Sequence, residues 1–280
     1  MRIVDSQVHI WELSRPGREW PPGRFVPPWA STPFSKDQLL AEMNRAGVDR
    51  AILVPPAFEG DRNGLSLEAA KLHPDKFAVM GRLPLDDPKT RELLPRWRTN
   101  PGALGLRFTF FIPQQKKWLE DGTAAWLWPA AEAANIPLMI YPVPEALPYF
   151  HKVAREHPKL RIIIDHLAVG HEEWNRDDRA FQHIELLLAL AAHPNIAVKA
   201  SGLPEYSTDP YPYRNLHQYL RRIVEAYGAR RVFWGTDFTR LPCTYRQAIT
   251  MFTEELPWLS SADLDLIMGR AICEWLDWPL

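Results

Sequence analysis

The sequence predicts an α/β protein, a somewhat distorted (β/α)8 TIM barrel with a Pro/Trp-rich loop after its first strand. Three observations carry that prediction. Eight strand-like apolar runs recur, at 2–8, 50–54, 77–83, 104–110, 136–141, 161–166, 195–200 and 231–236. Their starts lie roughly 25 to 48 residues apart, which leaves room for a helix and two loops in each interval. Eight alternating β–α units are also the number that closes a parallel barrel, and 280 residues suit one. An open doubly wound sheet is the rival architecture. It ordinarily carries a Gly-rich phosphate turn after the first strand, and residues 9–14, "HIWELS", contain no glycine.

The first strand reads "VDSQVHIW" over residues 4–11. Asp5, Gln7, His9 and Trp11 alternate, and a period of two places alternating residues on one face of a strand. The segment 14–34, "SRPGREWPPGRFVPPWASTPF", is long, irregular and rich in proline and aromatic residues. Such a loop inside a compact domain is usually functional, so it is expected to form a semi-rigid lid. A proline arm packed on a neighbouring subunit is the alternative, and a homodimer stays open as the expected assembly.

A helix follows in "SKDQLLAEMNRAG", where Ser35 and Gln38 form a capping box and Gly47 closes the last turn. The fourth strand, "LGLRFTF", carries Arg107, and the fifth ends at Tyr141. The stretches 144–158, 180–194 and 214–228 show apolar residues at helical spacing and stop at Pro or Gly. The sixth strand leaves its apolar run at Asp165 and His166 in "IIIDHLAVG". The seventh contributes Lys199 and Ser201, and the eighth ends in "VFWGTDF" with Asp237, followed by Arg240. No linker or internal repeat divides the chain, so residues 1–280 are read as one barrel domain.

In such barrels the reactive groups come from the C-terminal ends of the strands. One mouth would therefore collect His9, His166, Asp237, Arg107 and Lys199. Each has a plainer reading: a strand-end histidine often serves as a hydrogen-bonded core residue, and Asp237 could cap the next helix. Arg107 and Lys199 lie in apolar strands, where an unpaired charge is costly, so each must face a carboxylate of the protein or of a substrate. His73, His151, His157, His171, His183, His193 and His217 read as surface or cap residues.

Thirty-three basic residues against thirty-four acidic ones argue against nucleic-acid binding. No apolar run approaches the roughly 20 residues of a membrane span. Two cysteines and no visible signal peptide make a cytoplasmic protein the expectation. Nucleophile elbows, P-loops, C-x-x-C pairs and H-E-x-x-H helices are all missing.

Taken in order, "VDSQVHIW", "LGLRFTF", "IIIDHLAVG", "NIAVKASGLPEYS" and "RVFWGTDF" resemble the amidohydrolase superfamily. Within it the match is to the amidohydrolase-2 branch, which includes pyrone-dicarboxylate and sugar-acid lactonases and some aromatic-acid decarboxylases. The resemblance spans the chain and implies that His9, His166 and Asp237 are catalytic. Two positions depart from the family pattern. Gln7 stands at the first His of the strand-one pair, and Tyr141 stands where strand five often gives a His. Gln is a poor zinc ligand. His9, His166 and Asp237 with water could still hold one divalent metal, Zn above others, but the expectation is that no cofactor is required.

The expected reaction is hydrolysis of a carboxylate-bearing lactone or related cyclic ester. Asp237 would activate water while His9 and His166 polarise the carbonyl. Arg107, Lys199, Tyr141, Gln7, Trp11 and Arg240 would bind the substrate, a small organic acid or lactone. A metal-dependent decarboxylase of an aromatic or muconate-type acid is the first alternative, and a non-catalytic barrel the second.

Overall fold

The computed structural model describes residues 1–111, 113–170 and 174–280. Eight parallel strands form one sheet in sequential order: β1 (Val4–Val8), β2 (Arg50–Leu53), β3 (Phe77–Gly81), β4 (Ala103–Phe110), β5 (Leu138–Pro142), β6 (Ile162–Ile164), β7 (Ile196–Ser201) and β8 (Val232–Gly235). The sheet curls into a nearly closed (β/α)8 barrel. The strands are buried almost throughout, as expected of a sheet covered by helices outside and filled by side chains inside.

The crossings carry α1 (Lys36–Ala46), α2 (Gly64–Leu72), α3 (Thr90–Leu93), α4 (Pro113–Glu120), α5 (Leu127–Ala133), α6 (Leu147–Glu156), α7 (Ile184–Ala189) and α8 (His217–Tyr227). Beyond β8 come α9 (Tyr245–Thr253), α10 (Ser261–Asp265) and α11 (Ala271–Leu276). The capping box read from Ser35 and Gln38 is formed at the start of α1, and Gly47 closes the helix in the left-handed conformation.

The seam between β8 and β1 is held by bonds that reach across it. Asp237 N donates to Gln7 O (2.9 Å) and Thr236 N donates to Asp5 Oδ1 (2.9 Å). A side chain at Gly235 would place its Cβ 2.5 Å from Ser6 Oγ and 3.2 Å from Ser201 Cβ, so the close approach of these strands requires glycine there.

The even alternation expected of β1 is broken. Its register against β2 shifts between Asp5 and Val8. Asp5 turns to Thr236 and Tyr245 of α9, whereas Gln7 and His9 meet Lys199 and Asp237. Trp11 lies past the strand end, bridged to Phe34, and packs in a small apolar cluster with Trp29, Phe58 and Ala30. Trp20 of the 14–34 loop stacks against Phe58 in the same cluster. Those aromatic contacts give the proline-rich loop its own small core beside the barrel mouth.

Candidate active site

Two residues at the mouth sit in an unusual backbone conformation directly after their strands. His166 (φ 51°) begins a run of left-handed residues with Leu167 (φ 55°) and Ala168 (φ 58°), and Asp237 has φ 52°. Left-handed non-glycine residues cost of order 1–3 kcal/mol each and persist only where their surroundings enforce them. Here the enforcement is visible. The Asp237 amide is tied to Gln7 O (2.9 Å), and His183 Nε2 donates to Leu167 O (2.8 Å). The turns aim both side chains back over the barrel.

Asp237 is buried between two imidazoles. Its Oδ1 lies 3.2 Å from His9 Nε2, and its Oδ2 lies 4.0 Å from His166 Nε2 and from Arg240 Nε. Oδ1 is close enough to His9 for an ion pair but is not aligned as a hydrogen-bond acceptor, so it retains acceptor capacity. Burial alone would lift the Asp237 pKa. The charges of His9, His166 and Arg240 outweigh that and hold the carboxyl well below its ordinary range.

Each imidazole is oriented by its other nitrogen. His9 Nδ1 faces Val54 O (2.5 Å), a carbonyl that can only accept, so Nδ1 carries a proton and Nε2 is left toward Asp237. His166 Nδ1 meets Ser201 Oγ (2.9 Å), which leaves Nε2 toward Asp237. Tyr141 packs its ring edge-on to His166, with centroids 5.2 Å apart, and donates its hydroxyl to Val169 O (2.8 Å). Arg240 is fixed beside the site by Glu205 (2.5 Å).

Behind these residues is a second buried cluster. Asp165 takes Arg107 Nε at Oδ2 (2.9 Å) and Lys199 Nζ at Oδ1 (2.8 Å). The carboxylate that the two strand-borne cations needed is therefore Asp165 of the protein itself. Burial pushes the Lys199 ammonium down from its usual range, against the opposing pull of Asp165. Lys199 also donates to Gln7 Oε1, and the Gln7 amide nitrogen lies 3.4 Å from His9 Nε2. Arg107 stands over the Tyr141 ring at 5.4 Å.

The structure thus brings His9, His166, Asp237, Gln7 and Arg240 around one point, with Tyr141 edge-on to His166. Arg107 and Lys199 join through Asp165. Trp11 stands apart in the loop cluster, its indole N–H donated to Ala30 O (3.1 Å). Cys243 lies in the bend before α9, and burial raises its thiol pKa, as it does for Cys273. His171 falls outside the described residues. Two contributors escaped the sequence reading. His183, read as a surface or cap residue, holds Leu167 O through a bond that no motif announces, whereas Ser201, noted at the end of the seventh strand, holds His166. Arg82, just past the end of β3, shares with Arg107 the signal of a cation in an apolar run, 77–83.

This arrangement can be set beside known proteins. The family model described as Amidohydrolase matches residues 4–271. The chain belongs to the amidohydrolase family. As a member of that family it is an enzyme, a hydrolase. Among curated relatives, this amidohydrolase is 26% identical over 238 residues to L-fucono-1,5-lactonase from Burkholderia ambifaria, covering 84% of this chain and 79% of that one. It is 24% identical over 223 residues to 4-sulfomuconolactone hydrolase from Hydrogenophaga intermedia, covering 77% and 67%. A solved amidohydrolase from Burkholderia multivorans with bound zinc superimposes with a TM-score of 0.81 at 20% identity, over the full length of both chains. No helix among the described residues of this amidohydrolase is long and apolar enough to cross a membrane.

Proposed function

We propose that the protein hydrolyses a lactone by direct attack of water. The observation that carries this reading is a buried, ionised Asp237 with an unspent oxygen, flanked by the inward-facing Nε2 atoms of His9 and His166. A carboxylate so placed accepts a proton from water as the water oxygen bonds to the lactone carbonyl carbon. Negative charge then grows on the carbonyl oxygen, where N–H donors from His9 and His166 stabilise it in a site closed to bulk water. When the tetrahedral adduct collapses, the ring C–O bond breaks, the carbonyl re-forms, and the alkoxide takes the proton held at Asp237. The product is an open-chain hydroxy acid.

The names of both curated relatives, a lactonase and a lactone hydrolase, support the same class of substrate. Arg107, Tyr141 and Arg240 are the side chains we assign to substrate orientation. Lys199 and Gln7 act from behind, through Asp165 and His9.

The donor set does not fit a divalent metal. His9 Nε2 faces the N–H group of Gln7, whose carbonyl is committed to the Lys199 ammonium, so Gln7 offers no lone pair to a cation placed between His9 and Asp237. No step of the proposed reaction runs through a metal.

The test is incubation of the purified protein with carboxylate-bearing and neutral lactones, followed by mass spectrometry. A product heavier by one water supports hydrolysis. Loss of carbon dioxide from an aromatic or muconate-type acid would instead establish a decarboxylase.

A further inference from the structure

Beside the Asp165 cluster lies a cavity of about 80 Å3, at the C-terminal ends of β3 and β4. Arg82, Arg107, Thr109, Gln115 and Trp118 line it, with Arg24 and Asp61 also on its wall. A cavity needs roughly 10–15 Å3 to hold one water, so the space admits a small polar group.

Arg82 is the anomaly. Its side chain is buried, and its guanidinium donates only from Nη2, to Thr109 Oγ1 (3.3 Å). Nε and Nη1 have no hydrogen-bond partner among the described residues. The residue is nonetheless firmly placed: Asn63 accepts from its backbone N–H (2.8 Å) and donates to its carbonyl (2.8 Å). Thr109 is fixed in turn, its hydroxyl donated to Gln115 Oε1 (2.8 Å). Burial first, and then the neighbouring charge of Arg107, push the Arg82 pKa down to about 9, which still leaves it charged at neutral pH.

The nearby acids, exposed Asp86 on the same wall included, make no ion pair with it among the described residues, although the charges of Asp61 and Asp165 favour its cationic form. Asp165 is shared by Arg107 and Lys199, and Asp61 faces Arg24 at 3.8 Å. A buried guanidinium with idle N–H groups beside a second guanidinium is a costly arrangement that an anion relieves.

We propose that this cavity is a carboxylate subsite. It receives an acid group of the substrate remote from the carbonyl under attack, bound by the idle N–H groups of Arg82 with Arg107 alongside. The assignment rests on the lactone-hydrolysis reading for the nature of the substrate. Arg107 links the two places: it lines the cavity and lies over Tyr141, which packs against His166.

Glutarate, a dicarboxylate that cannot be hydrolysed, is the probe. Isothermal titration should show it binding wild-type protein, with affinity at least tenfold weaker in Arg82→Met, while neutral glutaramide is indifferent to Arg82. Gln115→Glu supplies an internal carboxylate to the same cavity and should weaken glutarate by a similar factor, which keeps the test intact if Arg82→Met fails to fold. Wild-type glutarate affinity in a folded Arg82→Met, or in Gln115→Glu, overturns the subsite. If glutarate binding depends on Arg82 but no lactone is opened, the hydrolysis reading fails and the anion site stands. If muconolactone is opened with unchanged kcat/KM in Arg82→Met, the subsite fails and hydrolysis stands.

Discussion

The side-chain amide of Gln7 and the imidazole of His9 meet nitrogen to nitrogen, Nε2 3.4 Å from Nε2, and Lys199 decides which of them can donate. An ammonium has no lone pair, so the Gln7 oxygen must turn to Lys199 and its NH2 group to His9. His9 Nε2 therefore sits between a donor, Gln7, which favours the bare nitrogen, and an acceptor, Asp237, which favours the protonated one. Gln7 thus helps to hold the His9 ring against Asp237. Gln7→Leu should lower kcat about tenfold with KM little changed, as steady-state kinetics on an opened lactone would read. An unaltered kcat would remove Gln7 from the machinery.

Asp237→Asn keeps the shape of the mouth and removes the base. We expect kcat to fall by about 10²–10⁴, the usual range for general-base catalysis. Thermal melting of the variant should drop, because the charges of His9, His166 and Arg240 that hold the Asp237 carboxyl well below its ordinary range lose their counter-charge. A variant that hydrolyses at near wild-type rate would show that another group activates water.

Asp165 is the counter-charge for both Arg107 and Lys199. Asp165→Asn strands two buried cations, and breaking a buried pair from one side costs about 3–5 kcal/mol. Urea unfolding monitored by tryptophan fluorescence should show a loss of that size. A shift under about 1 kcal/mol would mean that water reaches the cluster and screens it.

Metal dependence separates the direct mechanism from its rivals. Prolonged dialysis against a strong chelator should leave lactone hydrolysis intact, and elemental analysis should find less than stoichiometric zinc. Loss of activity on chelation, restored by added zinc, would place His9, His166 and Asp237 back among metal ligands.

Asp5 predicts a pH effect on stability rather than on rate. Burial outweighs its bonds from Thr236, Tyr245 and the Gln7 amide and lifts its pKa from 3.8 to about 6. A group whose folded pKa is raised binds its proton more tightly when folded. Its contribution is complete below pH 3.8 and is lost as pH rises through about 6. The difference corresponds to about 3 kcal/mol. Asp5→Asn cannot ionise, so its deficit relative to wild type should be larger at pH 4.5 than at pH 7. A deficit that does not change with pH would mean that Asp5 ionises as easily in the folded protein as in the unfolded one.

Much of the barrel was legible because parallel strands buried on both faces write themselves as apolar runs. The eight runs coincide with β1 to β8 to within a few residues at each end. The positions of His9, His166 and Asp237 were legible for the same reason: each is polar where such a run stops. What stayed hidden was pairing across the barrel. That Asp165 joins Arg107 to Lys199, and Gln7 joins Lys199 to His9, depends on strands far apart in sequence facing one another. The face expected for Asp5, Gln7, His9 and Trp11 was divided by a register shift, because alternation describes an even strand and not a bulged one. Arg82 was overlooked for a different reason. The end of β3 offered no histidine or acid to draw the eye, and its isolation exists only in three dimensions.

The seam between β8 and β1 has a consequence in time. Asp237 follows His9 by 228 residues, and its amide reaches its bond to Gln7 only when the eighth strand docks beside the first. A chain not yet translated as far as Asp237, or one clipped anywhere between them and come apart, does not hold both side chains. On the proposed mechanism turnover therefore reports that the ring has closed, and partly synthesised copies stay chemically silent.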